Sequence, residues 1–377
     1  MIKILYIITK SDIGGAQKYV ADLISNLDKN QFKAKILYGK THLKWLSNKV
    51  HPWFLFFNDW MAIFELLKVY KNEQPHIVHL NSSKAGVLGS VAAFFYNRDK
   101  KHQLKIKIVF TAHGWVFNPT NALTPPVRWF YILLHKTSSL FHDKIICVSE
   151  YDNQLATLYK IAPSQKLIII HNGINPDIKF LTKLAARKEI IKKLAPNDTK
   201  LEPKFPWIGS IGRLTKEKDF ETLVETASLI HNSYFFLIGN GKEYKKIKNK
   251  INDLKIGNRL FVIEPSGGDF KYLKAFDIFA MSSIKEGLPY ILLEAMAAEL
   301  PCVVTRAGGI AEIIENHKNG LIVAQKNPGL IAKAVNILLS DKNISDELKK
   351  RAKEIILAKF HIKHMIQATE SVYRNLI

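Results

Sequence analysis

The chain has 377 residues, of which 47% are hydrophobic and 23% charged, which excludes an intrinsically disordered protein and predicts two domains rather than one core. The formal net charge of +22 favours an anionic partner such as nucleic acid, an acidic membrane surface or a phosphorylated substrate, and a lysine-rich composition bias explains the same charge equally well. The sequence has no run of about 18 apolar residues, so it predicts no membrane-spanning helix.

The two cysteines and the N-terminal segment indicate the compartment. Cys147 and Cys302 lie far apart in apolar, strand-like runs, which predicts buried thiols in a reducing environment. The N-terminal segment MIKILYIITKSDIGG lacks a signal-peptide cleavage pattern and is typical of a first strand. We therefore expect a cytoplasmic protein.

Short apolar runs alternate with helical patterns in two series along the chain. The predicted strands of the first series are 3–8, 34–38, 77–80, 106–111, 144–148 and 167–170. Those of the second series are 207–211, 234–238, 260–263, 278–281 and 302–305. Short apolar strands separated by helices indicate parallel sheets, so the sequence predicts an α/β protein with two doubly wound domains that face a cleft. Ligands of such sheets bind outside the carboxyl ends of the strands.

A polar segment separates the two series of strands. It is rich in lysine and proline after an Asn-Gly turn, a pattern typical of a linker with a helix inside it. The predicted N-terminal domain is 1–175, the linker is 176–206 and the C-terminal domain is 207–355. Residues 356–377 are predicted to form a C-terminal helix that returns to the N-terminal domain.

A pair of glycines follows the first predicted strand, in the segment TKSDIGGAQKYVADL. Gly14 and Gly15 allow backbone N–H groups to approach an anion at the start of a helix. A plain strand-to-helix turn explains two glycines nearly as well. The segment is not the dinucleotide fingerprint G-x-G-x-x-G.

A basic loop, GSIGRLTKEKDFETLV, follows the first strand of the second domain. Arginine can bind a phosphate through two hydrogen bonds, and lysine adds a point charge. Because Arg213 and Lys218 follow the carboxyl end of a strand, the sequence favours a phosphate site over a solvated basic loop.

A single histidine follows a strand of the first domain, in FTAHGWVF. A lone histidine is more often structural than catalytic. His113, however, ends a strand on the side that faces the second domain, so a catalytic role and a structural role stay equally open.

Two glutamates lie eight residues apart in SSIKEGLPYILLEAMAAELPCVV. Pro289 suits the first turn of a helix, which would place Glu294 about one turn further in, on a small and apolar face. A bare carboxylate there is costly, and a ligand with hydroxyl groups would satisfy it. Glu286, on the preceding turn, could bind a second set of hydroxyls. Two solvent-exposed glutamates remain the alternative.

Several of these segments together resemble a retaining glycosyltransferase of the GT-B fold, family 4, also called glycosyl transferases group 1. The resemblance covers nearly the whole chain, and GT-B consists of two Rossmann-like domains. The matching segments are GGAQKYVADL, HIVHLNSSKAGVLGS, TAHG, ICVSE, HNGIN, GRLTKEKDF, GLPYILLEAMA and TRAGGIAEII. The segments HLNSSKAG and TAHGWVFNP are most similar to enzymes that build bacterial capsule, exopolysaccharide or lipopolysaccharide.

The resemblance implies a role for each candidate residue. Glu286 would hold the hydroxyls of the donor sugar and Glu294 the ribose of the nucleotide. Arg213 and Lys218 would bind the donor phosphates. The remaining residues carried over by the resemblance are the glycine-loop contacts Gly14 and Gly15, the donor-loop residues Gly287 and Leu288, and the active-site histidine His113. The sequence departs from the family in having MSSIKEG where Pro-Ser is common, and GLP where Phe-Pro is common.

The resemblance also implies the substrates. The donor would be a nucleotide sugar, most simply a UDP-sugar, and the enzyme a hexosyltransferase or N-acetylhexosaminyltransferase that retains the anomeric configuration. The acceptor would be polyprenyl-linked or a saccharide. The chain contains no Asp-x-Asp motif, so no metal and no cofactor are expected, and the basic residues would stabilise the leaving diphosphate.

Aromatic residues at 53–57 lie close to several lysines in VHPWFLFFNDWMAIFELLKVYKN. Aromatic anchors within a basic surface are typical of peripheral binding to an anionic inner leaflet. Ile63, Leu66 and Leu67 are instead expected to pack as a core helix.

The alternative functions are a GT-B sugar-nucleotide epimerase and a nucleic-acid-binding protein. No nucleic-acid-binding module occurs, so no nucleic acid partner is expected.

Overall fold

The computed structural model describes residues 1–9, 14–39, 42–43, 46, 57–99, 104–194 and 201–377. The chain divides into two compact units. Unit 1 contains Met1–Asn172 together with Ile362–Ile377, and unit 2 contains Gly173–His361. The predicted linker, 176–206, therefore lies within unit 2, and the segment that returns to unit 1 begins at Ile362 rather than at residue 356.

Strands and helices alternate along most of the chain, as the sequence pattern predicts. The strands are β1 Ile2–Ile8, β2 Phe32–Tyr38, β3 Ile77–Leu80, β4 Lys107–Ala112, β5 Lys144–Cys147, β6 Leu167–Ile169, β7 Trp207–Ile211, β8 Tyr234–Ile238, β9 Leu260–Ile263, β10 Ile278–Met281, β11 Cys302–Thr305 and β12 Leu321–Val323. The helices are α1 Gly15–Asn26, α2 Phe57–Glu73, α3 Ser83–Arg98, α4 Pro125–Ser139, α5 Glu150–Leu158, α6 Lys183–Lys193, α7 Phe220–Leu229, α8 Tyr244–Asp253, α9 Tyr290–Ala297, α10 Ile310–Ile313, α11 Pro328–Ser340, α12 Lys342–Lys359 and α13 Ile362–Arg374.

Within the described residues, each unit contains one parallel sheet of six strands. The strand order is β2-β1-β3-β4-β5-β6 in unit 1 and β12-β11-β10-β7-β8-β9 in unit 2, with every pairing parallel. Most of the strands are apolar and largely buried, as expected for sheets covered on both faces, whereas the edge strand β2 contains two exposed lysines. The predicted α/β class with two doubly wound, Rossmann-like sheets is confirmed.

Chain order reverses once in each sheet, and this reversal positions the candidate site. In unit 1 the reversal lies between β1 and β3, and in unit 2 it lies between β7 and β10. The loops that leave two such strands diverge to opposite faces of the sheet, which opens a crevice at their carboxyl ends. Each unit therefore has one such crevice, a topological switch point, where a ligand is expected.

The predicted linker is part of unit 2 because its helix, α6, is held to the sheet by charge. Arg187 on α6 donates from Nη2 to Asp277 Oδ2 at 2.7 Å, and its guanidinium lies 4.5 Å from the centre of the Trp207 ring. Asp277 Oδ2 also accepts from the Trp207 backbone N–H at 2.7 Å. The same carboxylate therefore joins α6 to the start of β7.

The last helix, α13, belongs to unit 1. Its buried residues recur at helical spacing, and Tyr373 near its end is fully buried. The hydroxyls of Tyr373 and of Tyr6 on β1 lie 2.8 Å apart. Glu370 accepts a hydrogen bond from the Asp28 backbone N–H at 2.9 Å. The final 16 residues therefore pack on the sheet formed by the start of the chain.

Two further expectations concern the burial of the two cysteines and the lack of a membrane-spanning helix. Cys147 and Cys302 are both buried free thiols, as predicted, and burial raises the pKa of each thiol. Among the described residues, no helix combines the length and the hydrophobicity that crossing a bilayer requires.

Candidate functional site

The switch point of unit 2 brings the predicted charged residues together. Arg213 follows β7 by two residues, and Lys218 ends a short 3₁₀-helical turn in the same loop. Glu286 lies in the loop after β10, the strand that pairs with β7. Because both loops leave adjacent parallel strands, the cations and the carboxylate lie at one edge of the sheet.

Hydrogen bonds lock these two loops to each other. The Ser282 hydroxyl donates to the Lys218 carbonyl at 3.1 Å and to the Asp219 carbonyl at 2.7 Å. The Ile284 backbone N–H donates to the Glu217 carbonyl at 2.9 Å. Asp219 has φ 46° and ψ 48°, the left-handed conformation that turns the chain from the 3₁₀ turn into α7. The loop after β10 therefore sets the position of the Lys218 backbone.

The side chains of Lys218 and Glu286 form a largely buried ion pair. Lys218 Nζ lies 2.6 Å from Glu286 Oε1, and the Ser283 hydroxyl donates to the same oxygen at 2.6 Å. Glu286 is 8% exposed and Ser283 is fully buried. Glu286 Oε2 has no hydrogen bond to a described residue. One carboxylate oxygen thus holds the side chain in place, and the other is available to a ligand.

A glycine of the next loop supports the Glu286 backbone. Gly308 has φ +52°, and a Cβ built there would lie 1.8 Å from the Glu286 carbonyl oxygen. The Gly309 backbone N–H donates to the Gly287 carbonyl at 3.0 Å, and Leu288 is buried. The segment TRAGG therefore packs directly on the loop that carries Glu286. Sequence reasoning did not assign Gly308, although two glycines soon after a strand are a usable signal for such close packing.

Arg213 differs from Lys218 in being exposed and unpaired. Its guanidinium makes no hydrogen bond or ion pair with any residue that the structure describes. The loop that carries it packs closely on the end of β8, where a Cβ on Gly239 would lie 1.9 Å from the Gly212 carbonyl oxygen. The backbone before Arg213 is therefore fixed, while its side chain is open to an anionic ligand.

Glu294 lies on α9 and is buried, with 4% of its surface exposed. Pro289 is the N-cap of this helix, one residue before the position that the sequence indicates. Glu286 and Glu294 are thus both buried, and the alternative that they are solvent-exposed glutamates is wrong. A helix face that contains a buried carboxylate agrees with the expectation from spacing.

The two predicted glycines lie at the switch point of unit 1. Gly14 is the N-cap of α1, in extended conformation, and Gly15 is the first residue of that helix. Gly14 itself has no side chain that could cap α1, and the start of a helix favours an anion. Residues 10–13, which join β1 to this helix start, lie outside the described residues.

His113 follows β4 in unit 1 and is half-buried. Its Nε2 lies 3.2 Å from Asn81 Oδ1, and the ring of Tyr19 packs edge-on against it with centroids 4.8 Å apart. Burial lowers the pKa of His113 far below its usual range, so the imidazole is neutral at pH 7. It can therefore exchange hydrogen bonds with a substrate, but it does not supply positive charge.

A buried polar network lies beside His113, and sequence reasoning missed it. His79 on β3 bonds through Nδ1 to the Tyr373 hydroxyl at 2.5 Å and through Nε2 to the Thr111 hydroxyl at 2.7 Å. Burial, with a smaller contribution from His113, lowers the pKa of His79 to about 3. The segment HIVHLNSS contains both His79 and Asn81. The alternation of apolar and polar residues along a strand does not, however, show which polar side chains form hydrogen bonds with each other.

The predicted site residues therefore fall into two groups. Gly14, Gly15 and His113 belong to unit 1. The others, all in unit 2, are Arg213, Lys218, Glu286, Gly287, Leu288 and Glu294. Within the described ranges, no group of three or more His, Cys, Asp or Glu side chains is placed to hold a metal ion.

Two protein families match this chain, one in each half. Residues 13–178 match the family described as Glycosyltransferase Family 4, and residues 191–355 match Glycosyl transferases group 1. Together the two matches include every predicted site residue.

Relatives with named activities match most of the length of the chain. An Escherichia coli UDP-Gal:alpha-D-GlcNAc-diphosphoundecaprenol alpha-1,3-galactosyltransferase is 23% identical over 100% of this chain and 97% of its own length. The E. coli O-antigen biosynthesis glycosyltransferase WbnH is 27% identical over 84% of this chain and 85% of its own length. The crystal structure of Anabaena HepE in complex with UDP and glucose has a TM-score of 0.81 at 18% identity, and the match covers all of both chains.

Proposed function

We propose that this chain, which belongs to the family 4 glycosyltransferases and carries their group 1 domain, transfers a sugar from a UDP-sugar to a polyprenyl-linked or saccharide acceptor. The relatives serve O-antigen and capsule synthesis, and they support the glycosyltransferase prediction rather than the epimerase alternative. We assign the enzyme to bacterial surface-polysaccharide synthesis. The UDP-sugar and the lipid-linked acceptor follow the name of the galactosyltransferase relative, and the HepE complex with UDP and glucose supports a UDP-sugar.

The convergence of Arg213, Lys218 and Glu286 at one switch point carries this proposal. A nucleotide-sugar donor presents a diphosphate next to a ring of hydroxyls. Two cations beside a buried carboxylate with one available oxygen match both parts of such a ligand. A free nucleotide diphosphate would supply no sugar hydroxyls next to its phosphates, and a free sugar would leave the arginine without an anion.

The leaving diphosphate gains negative charge as the bond to the sugar breaks. Arg213 is exposed and makes no ion pair with a described residue, so it can bind a phosphate without losing an existing contact. Lys218 already neutralises Glu286 and retains two further N–H donors. Fixed cations at the point where charge develops stabilise the transition state more than the ground state. This is the role we give to both residues.

The two glutamates would then act on different parts of the donor. Glu286 Oε2 would accept hydrogen bonds from hydroxyls of the transferred sugar, and Glu294 would accept from the ribose. We give His113 the role of a hydrogen-bonding group of unit 1 toward the reacting sugars, and Gly14 and Gly15 the role of amide donors. These roles follow the resemblance residue by residue.

We expect glycosyl transfer to continue in excess EDTA, because the basic side chains replace a divalent cation at the diphosphate. The new glycosidic bond should keep the anomeric configuration of the donor. One purified reaction tests both points, with a chelator titration of the rate and proton NMR of the product. Loss of activity that magnesium restores would refute the first expectation, and an inverted anomer would refute the second.

The outer face of α2 supports peripheral binding to an anionic membrane. Phe57, Trp60 and Phe64 are exposed large apolar side chains, and Lys68 and Lys71 are also exposed. These five residues follow one another at intervals of three or four, so they form one stripe of the helix. Aromatic side chains that enter the interface, followed by cations at the headgroups, are typical of interfacial helices. A polyprenyl-linked acceptor would lie at such a surface.

The rest of α2 behaves as predicted, since Ile63 and Leu66 are buried in the core of unit 1 and Leu67 packs against it. The predicted aromatic anchors at 53–56 lie outside the described residues. Phe57, which the sequence places before the helix, is instead its first residue. The stripe on α2 therefore extends the predicted anchor into the described structure.

Vesicles that contain anionic lipid should pellet the protein at low salt, and higher salt should release it, because the Debye length is about 10 Å at 0.1 M. Exchanging Lys68 and Lys71 for glutamate should weaken the low-salt binding, since each lysine near the surface contributes about 1 kcal/mol. The triple change Phe57→Ser, Trp60→Ser and Phe64→Ser should reduce the binding that salt does not remove. Leu229→Ser, an exposed leucine of unit 2, is the matched control. Equal pelleting by all variants would exclude this stripe as the membrane surface.

A further inference from the structure

Asn81 links the buried network of unit 1 to the predicted active-site histidine. It follows β3 and is 1% exposed, and its backbone N–H donates to the Ile7 carbonyl at 2.9 Å. Its side-chain Nδ2 donates to the His79 carbonyl at 3.1 Å. Its Oδ1 lies 3.2 Å from His113 Nε2. Both polar atoms of the Asn81 amide therefore have a hydrogen-bond partner, and the side chain is almost completely buried.

The hydrogen-bonding rules determine which atom of this amide faces His113. A backbone carbonyl only accepts, so the group beside the His79 carbonyl must be the NH₂ of Asn81. The group beside His113 is then the amide oxygen, which also only accepts. Nε2 of His113 must therefore carry the proton. A neutral imidazole has one N–H, so Nδ1 of His113 has a bare lone pair.

We propose that Asn81 is a positioning residue that holds His113 as the Nε2–H tautomer, so that Nδ1 is presented as an acceptor for a substrate hydroxyl. The importance of this acceptor for transfer rests on the function proposed above for His113. The tautomer itself is a property of the free protein and can be measured without a substrate.

The surroundings of His113 keep it neutral and fix its plane. Tyr19 packs against the ring with an interplanar angle of 73°, and burial raises the pKa of Tyr19 to about 12. Among the described residues, His79 is a second titratable neighbour, with a pKa lowered to about 3 by burial and then by His113. Both groups are therefore uncharged at pH 7. Because Tyr19 and His79 are uncharged, they do not stabilise an imidazolium at His113. The packing of Tyr19 also opposes rotation of the His113 ring.

Long-range proton–nitrogen correlation spectra of protein labelled with ¹⁵N-histidine test the tautomer directly. The chain has 13 histidines, and comparison with His113→Gln identifies the signals of His113. We expect Nε2 to show the shift of a protonated ring nitrogen and Nδ1 that of a bare one, both constant from about pH 5 to 8. A protonated Nδ1, or an imidazolium within that range, overturns the proposal.

Asn81 variants test the positioning role. Asn81→Ala should give His113 a mixture of tautomers, and turnover should fall about tenfold, the effect of one lost hydrogen bond of about 1.4 kcal/mol. Asn81→Asp should raise the pKa of His113, because a carboxylate would then face Nε2. UDP affinity should not change in either variant. Asn26→Ala, an exposed asparagine of the same unit, should leave the His113 signals unchanged.

The two proposals fail in different ways. If His113 has the expected tautomer but His113→Gln retains full turnover, the role of His113 in transfer is wrong and the positioning by Asn81 stands. If the Asn81→Ala spectrum shows the same single tautomer as the wild type, Asn81 does not set it, whatever the activity. The wild-type spectrum, assigned with His113→Gln, decides the tautomer even if an Asn81 variant fails to fold.

Discussion

Lys218→Ala is expected to lower turnover with the nucleotide sugar by about 10- to 100-fold and to lower the melting temperature as well. The loss of turnover follows from removal of a charge-assisted contact to the diphosphate, of about 1.5–3 kcal/mol. The loss of stability follows because buried Glu286 would keep only the Ser283 hydroxyl as a donor. In a unit of this size, each kcal/mol lowers the melting temperature by about 2–4 °C.

Arg213→Ala separates the effect on turnover from the effect on stability. Arg213 is exposed and makes no ion pair within the described residues, so its loss should reduce turnover similarly but leave the melting temperature unchanged. Lys216→Ala, an exposed lysine on the same 3₁₀ turn, should behave as the wild type in both measurements. Steady-state kinetics and thermal unfolding of the three variants give the answer. Unimpaired turnover in both Arg213→Ala and Lys218→Ala would show that this loop does not bind the donor phosphates.

Glu286→Gln is expected to lower turnover with the nucleotide sugar by about 10- to 100-fold while binding of the free nucleotide stays nearly intact. The amide oxygen can still accept from Lys218 and Ser283, but the NH₂ group would replace Oε2, so the sugar hydroxyls lose an anionic acceptor. Glu294→Gln should weaken the binding of both ligands, because the ribose occurs in both. Calorimetric titration of each variant with UDP and with the UDP-sugar distinguishes the two roles.

Glu299→Gln is the matched control for both glutamates, since Glu299 is exposed in the same unit and pairs with exposed Lys353. It should behave as the wild type. If Glu286→Gln lost affinity for free UDP while Glu294→Gln affected only the sugar nucleotide, the two roles would be reversed.

Much of the fold could be predicted because its strands are covered on both faces. Such strands are continuous apolar runs, and the predicted strands 77–80, 207–211 and 278–281 agree with β3, β7 and β10 residue for residue. β12 was not predicted; it is a three-residue strand that follows an Asn-Gly turn at the edge of the sheet of unit 2. The linker boundaries differ because Arg187 binds Asp277, a contact between residues 90 apart that no local pattern shows.

The candidate site was predicted from positions at strand ends and from the family resemblance. Arg213, Lys218 and Glu286 each follow a strand of unit 2, and a doubly wound topology brings such residues together. The ion pair between Lys218 and Glu286 and the contact of Ser283 with the same oxygen depend on how two loops pack. Asn81 was inside a recognised segment, but its contact with His113 joins residues that are 32 apart in the sequence. Pairwise contacts of this kind follow from tertiary structure and not from spacing.

Calorimetric titration of UDP into the protein in EDTA tests the central claim, that the switch point of unit 2 binds the donor diphosphate without a metal. We expect saturable binding to the wild type and to Lys216→Ala. The double variant Arg213→Ala/Lys218→Ala should lose at least about 100-fold in affinity, since two charge-assisted contacts of about 1.5–3 kcal/mol each are removed. Binding of equal strength to the double variant, or no binding to the wild type in EDTA, would contradict the account.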